Sequence, residues 1–553
     1  MSAKSRTYST SRTHRRQFVF SDTSISIPAG WHSISLGSFR LHYCPWLKVI
    51  IAVDASGLQW ALLGHAFQIT ETPLNDPAAS IARSASSEVP TLVRNWSGRW
   101  LLLSGSAVIT DAASLLGVYI LESDKSVFVS GSLALLSQLA PSSIRDTRVL
   151  GWYGLNWFPG PLSKLSVVRR LLPDQIYNPA TRQVSFFDRL TAVPAGTGVQ
   201  NAVTEISAGI AQVFRSMAER EGCNSIILAL TGGLDSRTTF SVLQSSGVPF
   251  STLTLGHPRI SKGDITLPAP ISASYGIAHR YVTSNKLLRS RLEEYDLHIY
   301  GCVIDGDREL YARGSFDGID SQSWLIRSGC WEIGRKYFYR KLSGLELEEI
   351  MDRPDRLMTR FNSYFKNDAS AASLREWARW RLKHAIAVPW QDLFYRDQRL
   401  GCWLASVEQS LDLLDPVSIH PVNCDHFYGM MLGLDDAGDT AGASLQHKII
   451  AECLPDLARL PINPPDGHYF VLKTDYRRLL RYSPENQETL YGRSGASSNI
   501  TSRRQPSGNL RDRLYGLLTS NRASATFIVI VKAYLDILRE LLWTSGDAIM
   551  ANL

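Results

Sequence analysis

The residues best suited to chemistry in this chain are 231–236, which read Thr-Gly-Gly-Leu-Asp-Ser and are called the glycine loop below. They follow the apolar residues 226–230. An apolar run that ends in glycines predicts a buried parallel strand and a tight turn. Residues 237–244 are typical of the helix that follows such a turn, and Gly247 marks its end. The glycine loop is therefore expected to join a strand to a helix.

The groups in the glycine loop suit a phosphate chain and its metal ion. Adjacent glycines let the backbone approach a ligand closely, and a helix start supplies free N–H groups and a positive dipole. Thr231 and Ser236 add hydroxyls, and Asp235 can help to hold Mg²⁺. The loop lacks Gly-Lys-Ser/Thr, so it is not a Walker A loop. The alternative is an ordinary strand–turn–helix corner whose glycines relieve crowding.

The elements around the glycine loop alternate between helix and strand from Asn201 onwards. Such alternation predicts a parallel sheet with helices on both faces. The predicted elements are a helix at 202–220, a strand at 250–255, a helix at 264–274, the strand His279–Val282 and a strand that begins at Trp324. Residues 340–550 are expected to be mainly helical.

Residues 18–187 show a different pattern, in which short runs of β-forming residues are separated by turns. The runs are Val49–Val53, 60–63, 100–103, 117–121 and 126–129. This spacing predicts an all-β or α+β domain. The first 20 residues are rich in Ser, Thr and Arg and are expected to be disordered. The predicted division is a tail at 1–20, a β-rich domain at 21–195 and an α/β domain at 196–553.

The composition fits a soluble globular protein of two domains, with 553 residues, 44% hydrophobic and 20% charged. The net charge of +7 permits an anionic ligand such as ATP without requiring nucleic acid. Seven cysteines without a Cys-x-x-Cys pair are typical of reduced thiols in the cytoplasm. The chain lacks a run of about 18 uncharged apolar residues, so we expect no membrane span.

The glycine loop resembles the pyrophosphate loop Ser-Gly-Gly-x-Asp-Ser of the ATP pyrophosphatases, with Thr231 in place of the first serine. Residues 100–464, more broadly, resemble the asparagine synthetase family. The resemblance implies an α/β fold, in which a degenerate, β-rich Ntn-hydrolase-like domain precedes an adenine-nucleotide α-hydrolase-like synthetase domain with a parallel sheet and a helical C-terminal part. The ATP-binding residues that it implies are Leu230, Thr231, Gly232, Gly233, Asp235, Ser236, Leu255, Gly256, Ser328 and Gly329.

A second loop, residues 328–332, follows the strand predicted at Trp324. It resembles the family's Ser-Gly-x-Gly-x-Asp loop, but it is one residue shorter and ends in Glu332 instead of Asp. The resemblance implies that Glu332 binds Mg²⁺ together with Asp235. A longer carboxylate can offset a shorter loop, because Mg²⁺ needs only one well-placed oxygen from it. The alternative is that Glu332 is a surface acid after a strand.

The N-terminal domain resembles the family's glutaminase at residues 98–103, 110–119 and 157–173. A working glutaminase of this family has cysteine as its first residue after Met1, where the thiol is the nucleophile and the α-amine is its base. This chain has Ser2 at that position. We therefore expect a scaffold domain that does not release ammonia from glutamine.

One helix is predicted to carry Tyr395, Arg399, Trp403 and Glu408. These residues are four, four and five positions apart, so we expect their side chains on roughly one face of that helix. This face is either a polar seam against the domain or the wall of a substrate cleft. In amide-forming relatives a glutamate in this region belongs to the acceptor-amine site. The resemblance therefore adds Glu408, as base for the amine, to Asp235 and Glu332 as catalytic candidates.

Two further segments depart from known patterns. The position of a catalytic lysine in asparagine and β-lactam synthetases falls on Ile462 or Asn463, which leaves Lys473 and Arg459 as candidate substitutes. Residues 420–426 contain His, Cys and Asp, but their spacing fits no standard zinc site.

The missing cysteine is a feature shared with lasso-peptide cyclases, β-lactam synthetases and related natural-product amide synthetases. The resemblance implies an AMP-forming ligase that uses ATP and Mg²⁺ to adenylate a substrate carboxylate, which a substrate amine then attacks to form an amide or macrolactam. A precursor peptide and its leader-processing protease are candidate partners. Two alternatives stay open, an ammonia-dependent asparagine synthetase-like enzyme and a non-catalytic nucleotide-binding scaffold.

Overall fold

The computed structural model describes residues 13–70, 76–139, 155–190, 198–220, 225–256, 262–282, 285–361, 368–434, 441–460 and 462. All of them lie in one compact unit, Met1–Gly492, and a second unit, Arg493–Leu553, falls outside the described residues. Ser2, Asn463 and Lys473 also lie outside them. The predictions for those residues, and the predicted domain boundary at 195–196, stay predictions.

Two antiparallel sheets form the N-terminal half of the described chain. Their strands are β1 Phe18–Ser21, β2 His32–Leu36, β3 Phe39–Tyr43, β4 Val49–Val53, β5 Gln59–Gln68, β6 Trp96–Leu103, β7 Val108–Thr110, β8 Tyr119–Glu122, β9 Val127–Ser130, β10 Val168–Arg170, β11 Gln175–Asn178 and β12 Gln183–Phe186. The strand orders are β10-β8-β9-β1-β3-β2 and β12-β11-β7-β6-β5-β4. Phe18 and Val129 of the first sheet share a buried apolar core with Leu63 and Leu101 of the second.

The chain just before β1 is held against a distant turn, which corrects the predicted extent of the disordered tail. β1 is buried and lies between β3 and β9. The Arg16 guanidinium donates to the three backbone carbonyls of residues 414–416. A segment rich in Ser, Thr and Arg is typical of disorder. Here, however, backbone carbonyls far along the chain accept the hydrogen bonds of the Arg16 guanidinium and order the segment. Of the predicted tail, residues 1–12 lie outside the described residues.

A five-stranded parallel sheet forms the second half. Its strands are β13 Ser225–Ala229, β14 Ser251–Leu255, β15 His279–Val282, β16 Ser323–Ile326 and β17 Val417–Ile419, in the order β15-β14-β13-β16-β17. Apolar side chains of the central strands are buried, as expected when helices cover both faces. The prediction of a mixed α/β protein with a parallel sheet is confirmed. β17 was not predicted, because three residues carry too little periodicity.

The helices connect and cover these strands. They are α1 Pro77–Arg83, α2 Val89–Leu92, α3 Leu133–Leu139, α4 Val199–Ala218, α5 Leu234–Ser245, α6 Lys262–Thr266, α7 Pro268–Ser274, α8 Arg289–Ile299, α9 Asp307–Ala312, α10 Tyr339–Leu342, α11 Leu347–Asp352, α12 Pro354–Arg360, α13 Asp368–Lys383, α14 Trp390–Phe394, α15 Ala405–Leu411, α16 Asp425–Leu432, α17 Ala441–Cys453 and α18 Pro455–Ala458, with 3-10 helices at Val93–Asn95 and Trp331–Arg335. A ten-residue π-helix, Tyr395–Leu404, joins α14 to α15. The single helix predicted at 264–274 is divided at Pro268, which lacks the N–H needed to continue α6. Among the described helices, none has the length and apolar character needed to cross a membrane.

Buried polar groups join the antiparallel sheets to the parallel-sheet half. Arg99 of β6 forms a two-pronged ion pair with Asp412, at 2.6 and 3.0 Å. The side-chain amide of Asn423 donates to the Gly98 carbonyl at 2.7 Å and to the Asp111 carboxylate at 2.9 Å. Leaving a buried polar group without a partner costs free energy, so these contacts are maintained in the fold. They hold the chain just before and just after β17 against the antiparallel sheets.

Candidate functional site

Two loops at the carboxyl ends of the central strands β13 and β16 form the candidate site. The glycine loop leads from β13 into α5, and the second loop leads from β16 into the 3-10 helix Trp331–Arg335. The chain moves from β13 to β14 on one side and later returns to β16 on the other, so the strand order reverses here. In doubly wound sheets, ligands bind in the crevice at this point. The structure thus brings together the two loops singled out in the sequence.

Hydrogen bonds among its own polar groups shape the glycine loop. The Thr231 N–H donates to Oγ of Ser236 at 3.1 Å, and the Gly233 N–H donates to Oγ1 of Thr231 at 3.1 Å. The two hydroxyl oxygens are 3.0 Å apart. The cap residue of α5 is Gly233, which has no side chain to bond the first N–H groups of that helix. The helix start therefore keeps the donors that an anion would use.

Gly232 brings the glycine loop close to the segment that begins α6. Its N–H donates to Oδ1 of Asp264 at 2.9 Å. A Cβ added to Gly232 would lie 2.8 Å from the carbonyl oxygen of Gly263, so a side chain here would force the two segments apart. The acceptor at this N–H is thus a carboxylate oxygen. The loop thus accommodates an anionic acceptor.

The two carboxylates expected to bind Mg²⁺ meet at one guanidinium. Nη2 of Arg335 lies 3.0 Å from Oδ2 of Asp235 and 3.0 Å from Oε1 of Glu332. Gln446 donates to Oδ1 of Asp235 at 2.7 Å, and the Tyr395 hydroxyl donates to Oε2 of Glu332. Asp235 and Glu332 therefore converge, although they lie on separate loops.

The surroundings of Asp235 disfavour the ionised form of its carboxylate. Its pKa is raised from 3.8 to about 6, chiefly by burial and also by the charge of Glu332, while Arg335 and the hydrogen bond from Gln446 act in the opposite direction. The three charged side chains are 20–24% exposed, so solvent and solutes reach them. A second cation at this point would stabilise the ionised form.

The donor set fits Mg²⁺, which binds one or two carboxylates and completes its coordination with phosphate oxygens and water. Asp235 and Glu332 supply two carboxylates that already share a cation. Within the part of the chain that the structure describes, no group of three or more His, Cys, Asp or Glu residues could hold a metal. Mg²⁺ held here would therefore depend on phosphate oxygens and would displace the Arg335 guanidinium.

The second loop is tied to the glycine loop through α5. Oγ of Ser328 donates to Oγ1 of Thr239, in the second turn of α5, at 2.8 Å. The Gly329 N–H donates to Nδ1 of His420 at 3.2 Å, and a Cβ at Gly329 would lie 3.0 Å from Cε1 of His420. Ser328 and Gly329 thus lie beside the site, and their binding of ATP stays a prediction.

The other predicted ATP contacts make structural hydrogen bonds. Leu230 is buried, and its N–H donates to the Leu253 carbonyl at 2.9 Å. Leu255 ends β14, and the N–H of Gly256 donates to the Val282 carbonyl at 2.7 Å. Tyr281 packs so closely on Gly256 that sterics alone explain this glycine. Adenine binding at the end of β14 stays a prediction.

Glu408 is fully buried and forms an ion pair with Arg327. Its Oε1 accepts from Nη1 of Arg327 and from Nε2 of His420, each at 2.9 Å, and none of its side chain is exposed. Burial alone would raise the pKa of Glu408, but its interactions with His420 and Arg327 outweigh burial and hold the pKa well below its ordinary value. A carboxylate that stays ionised so firmly is a weak base. These surroundings favour an anchoring role, and the assignment of Glu408 as base stays a prediction.

The helix face predicted around Glu408 is divided among different neighbours. Tyr395 contacts Glu332 at the site, whereas the guanidinium of Arg399 lies 3.4 Å from the ring centroid of Trp403. The intervening segment is π-helical, so the α-helical period behind the prediction does not hold along it. Tyr395 thus ties this face to Glu332.

The remaining candidates have separate partners. Arg459, a candidate substitute for the family's lysine, pairs with Asp456 at 3.3 Å at the surface, where its side chain is 79% exposed. In the segment 420–426, His420 bonds to Glu408 and His426 lies 3.2 Å from a carboxylate oxygen of Glu205. The described contacts therefore do not bring Arg459 to the two loops.

Sequence reasoning missed three charged residues near the site. Arg335 follows Glu332 by three residues, a helical spacing that could have indicated the ion pair. Asp305 and Asp307 lie in a stretch that the sequence showed only as mixed helical. Their Asp-x-Asp pattern was visible, but their neighbour Arg327 could be identified only from the fold.

Comparisons with known proteins add little to this geometry. No protein-family model matches the chain, and no curated protein matches it. One solved structure with a distant likeness is a glutamine phosphoribosylpyrophosphate amidotransferase from B. subtilis complexed with ADP and GMP, at 8% identity, with 57% of this chain and 76% of that chain covered and a TM-score of 0.20. Another, described as the allosteric regulatory enzyme of purine biosynthesis, has 7% identity, coverages of 53% and 74% and a TM-score of 0.19. Likenesses of this size support no conclusion about activity.

Proposed function

We propose that the chain is an ATP-dependent, AMP-forming carbon–nitrogen ligase that adenylates a substrate carboxylate for attack by a substrate amine. Lasso-peptide macrolactam cyclases and related natural-product amide synthetases are the enzymes whose chemistry it would share. The observation that carries the proposal is the convergence of Asp235 and Glu332 beside the glycine loop, at the carboxyl end of the central strand β13.

Each part of the cleft suits one component of an adenylation reaction. The glycine loop and the start of α5 suit the phosphate chain, since the Gly232 N–H already bonds an anionic oxygen. Asp235 and Glu332 would hold Mg²⁺, which would supply positive charge to stabilise the departing pyrophosphate. The Arg335 guanidinium, once released from Asp235 and Glu332, can pair with a phosphate or with the substrate carboxylate. Holding both substrates in line supplies up to roughly 7–11 kcal/mol of the barrier.

Exchange of labelled pyrophosphate into ATP, measured over a panel of carboxylates, tests the proposal. We expect carboxylate-dependent exchange and AMP as the nucleotide product. Asp235→Ala is expected to reduce the exchange rate on the order of 10³-fold, because it removes a ligand of the cation. Asp317→Asn is the matched control, because Asp317 is an acid 54% exposed that pairs with Arg291.

The products distinguish the proposal from its alternatives. ADP and phosphate from a clean preparation would contradict an AMP-forming ligase. Exchange that requires aspartate, with ammonia as the only acceptor, would identify the ammonia-dependent amidating enzyme. ATP binding without exchange for any carboxylate would favour a non-catalytic scaffold, in which Arg335 permanently takes the place of the metal ion.

A further inference from the structure

A cleft lies between the antiparallel sheets and β17, and its lining shares no residue with the two loops of the candidate site. It encloses about 350 Å³, its open mouth included, which is in the range of small-molecule sites. Its charged and polar lining residues, called the basic cleft below, are Arg16, Lys48, His65, Arg99, Asp412 and Ser418. The basic cleft is therefore built by both halves of the described chain.

The basic cleft holds more positive than negative charge. Arg99 is balanced by the Asp412 carboxylate at 2.6 Å. The Arg16 guanidinium donates to backbone carbonyls. Within the part of the chain that the structure describes, neither Arg16 nor Lys48 has a carboxylate within ion-pair distance. Two cations thus face the cleft without a neutralising partner among those residues.

The surplus charge affects the titration of the groups that line the cleft. Burial lowers the pKa of His65 well below its ordinary value, and the positive charges of Arg220, Lys48 and Arg16 lower it further. Burial also lowers the pKa of Lys48, and Arg220 acts in the same direction, while the Asp76 carboxylate opposes them. A bound anion would stabilise the charged forms of both groups. The electrostatics of the cleft therefore favour an anionic ligand.

Two buried polar atoms in the cleft have no hydrogen-bond partner among the described residues. They are Nδ1 of His65 and Oγ of Ser418, and Ser418 is only 4% exposed. Buried polar atoms are normally hydrogen-bonded. A serine hydroxyl can donate, and so can the Nδ1–H tautomer of a neutral imidazole. The cleft thus offers two neutral donors, one from each half, in addition to its two unbalanced cations.

We propose that the basic cleft binds a phosphate group, either free or as a phosphate monoester. Such a group carries about −1.5 to −2 charge at neutral pH and accepts several hydrogen bonds. Lys48 and Arg16 would balance its charge, and the Lys48 ammonium, His65 and Ser418 would donate to its oxygens. A carboxylate matches less well, because it brings only one negative charge. This inference does not depend on the proposed amide synthesis.

A phosphate in the basic cleft would connect the two halves of the described chain. Lys48 directly precedes β4 and His65 belongs to β5, whereas Ser418 belongs to β17. Two residues beyond Ser418, Nδ1 of His420 accepts from the Gly329 N–H of the second loop at 3.2 Å. Bound phosphate would therefore stabilise the strand that leads to this contact.

Titration of the full chain with inorganic phosphate, followed by phosphorus NMR at constant ionic strength in chloride, tests the site. We expect saturable binding that Lys48→Met weakens by about ten-fold and that Ser418→Ala also weakens. Both variants should fold, because neither side chain bonds to a described residue. Lys125→Met is the matched control, since Lys125 is an exposed lysine outside the cleft, and it should bind phosphate as wild type does.

The glycine loop is itself proposed to hold phosphate groups, so Gly232→Ala is needed to separate the two sites. Phosphate binding to the basic cleft should persist in Gly232→Ala. Binding that is lost in Gly232→Ala but kept in Lys48→Met would place the phosphate at the glycine loop and overturn the inference. No saturable binding, or equal binding of acetate, would overturn it as well.

Phenyl phosphate distinguishes the two sources of the phosphate group. Trp46 lines the cleft and is 56% exposed. Phenyl phosphate that binds more tightly than inorganic phosphate, with the gain lost in Trp46→Ala, would identify a monoester, whereas equal binding would identify free phosphate. Lys48→Met should keep any carboxylate-dependent pyrophosphate exchange of the wild type, so failure of the proposed function and failure of the phosphate site are observed separately.

Discussion

Replacement of Asp235 by Asn is expected to stabilise the folded protein while it abolishes adenylation. The pKa of Asp235 is about 6 in the folded state instead of the ordinary 3.8, so the folded state binds its proton more tightly than the unfolded state does. At a pH well above 6, ionisation of Asp235 therefore costs the folded state about 3 kcal/mol. Asn carries no charge and avoids this cost.

The substitution also loses one interaction, which limits the gain. Asn keeps an oxygen that can accept the hydrogen bond from Gln446, but its amide cannot accept the bond that Arg335 donates to Oδ2 of Asp235. Loss of a hydrogen bond from a charged group costs about 1–2 kcal/mol. We therefore expect a net increase in the free energy of unfolding of about 1–2 kcal/mol at pH 7.5, in the absence of Mg²⁺ and ATP.

The pH dependence of unfolding provides the assay. Urea unfolding of both proteins in EDTA, from pH 5 to 8, should show the full gain of Asp235→Asn above pH 6. The gain should shrink as the pH falls through about 6, because wild-type Asp235 then becomes protonated. The exposed control Asp317→Asn should change stability by less than about 0.5 kcal/mol. A variant that is less stable than wild type at pH 7.5, or a gain that is the same at pH 5, would refute the reasoning.

Three further outcomes are expected. Glu408→Gln should lower the free energy of unfolding by roughly 1–3 kcal/mol in urea titrations, because Arg327 loses its buried counter-charge; lost activity at unchanged stability would instead indicate a chemical role. Gly232→Ala should weaken ATP binding about ten-fold or more in nucleotide titrations, because the added Cβ meets a backbone carbonyl. The control Gly198→Ala should not weaken it, because a Cβ at Gly198 would point into open space. Because Ser2 replaces the family's cysteine, the purified chain should release no glutamate from glutamine, and measurable release would contradict this.

The strand–turn–helix units could be predicted from the sequence because their signals are local. The predicted strands Val49–Val53 and His279–Val282 coincide with β4 and β15 residue for residue. Alternation of apolar runs and helical periods was enough to indicate the parallel sheet. The glycine loop was recognisable because its hydroxyls, glycines and acid are consecutive.

Contacts between distant segments could not be predicted in this way. Nothing in the sequence indicated that Arg99 pairs with Asp412 or that Arg335 lies between Asp235 and Glu332, because such pairs depend on how the sheets pack. Composition also predicted disorder for the residues just before β1. In the fold, backbone carbonyls of residues 414–416 accept the hydrogen bonds of the Arg16 guanidinium. The sequence therefore predicted the two loops of the site. The charged side chains around them, such as Arg335, were identified only from the structure.

The π-helix between α14 and α15 has a consequence for how this gene can change. A π-helix places more residues in each turn than an α-helix does, so loss of one codon would let the segment tighten into an α-helix. Because an α-helix turns by about 100° per residue and the wider π-helix by less, the change of helix type would also rotate whatever follows. Tyr395, before the deletion, would keep its hydrogen bond to Glu332, whereas Glu408, after it, would turn away from Arg327. Most of these ten residues are buried, so substitutions as well as insertions and deletions would be selected against.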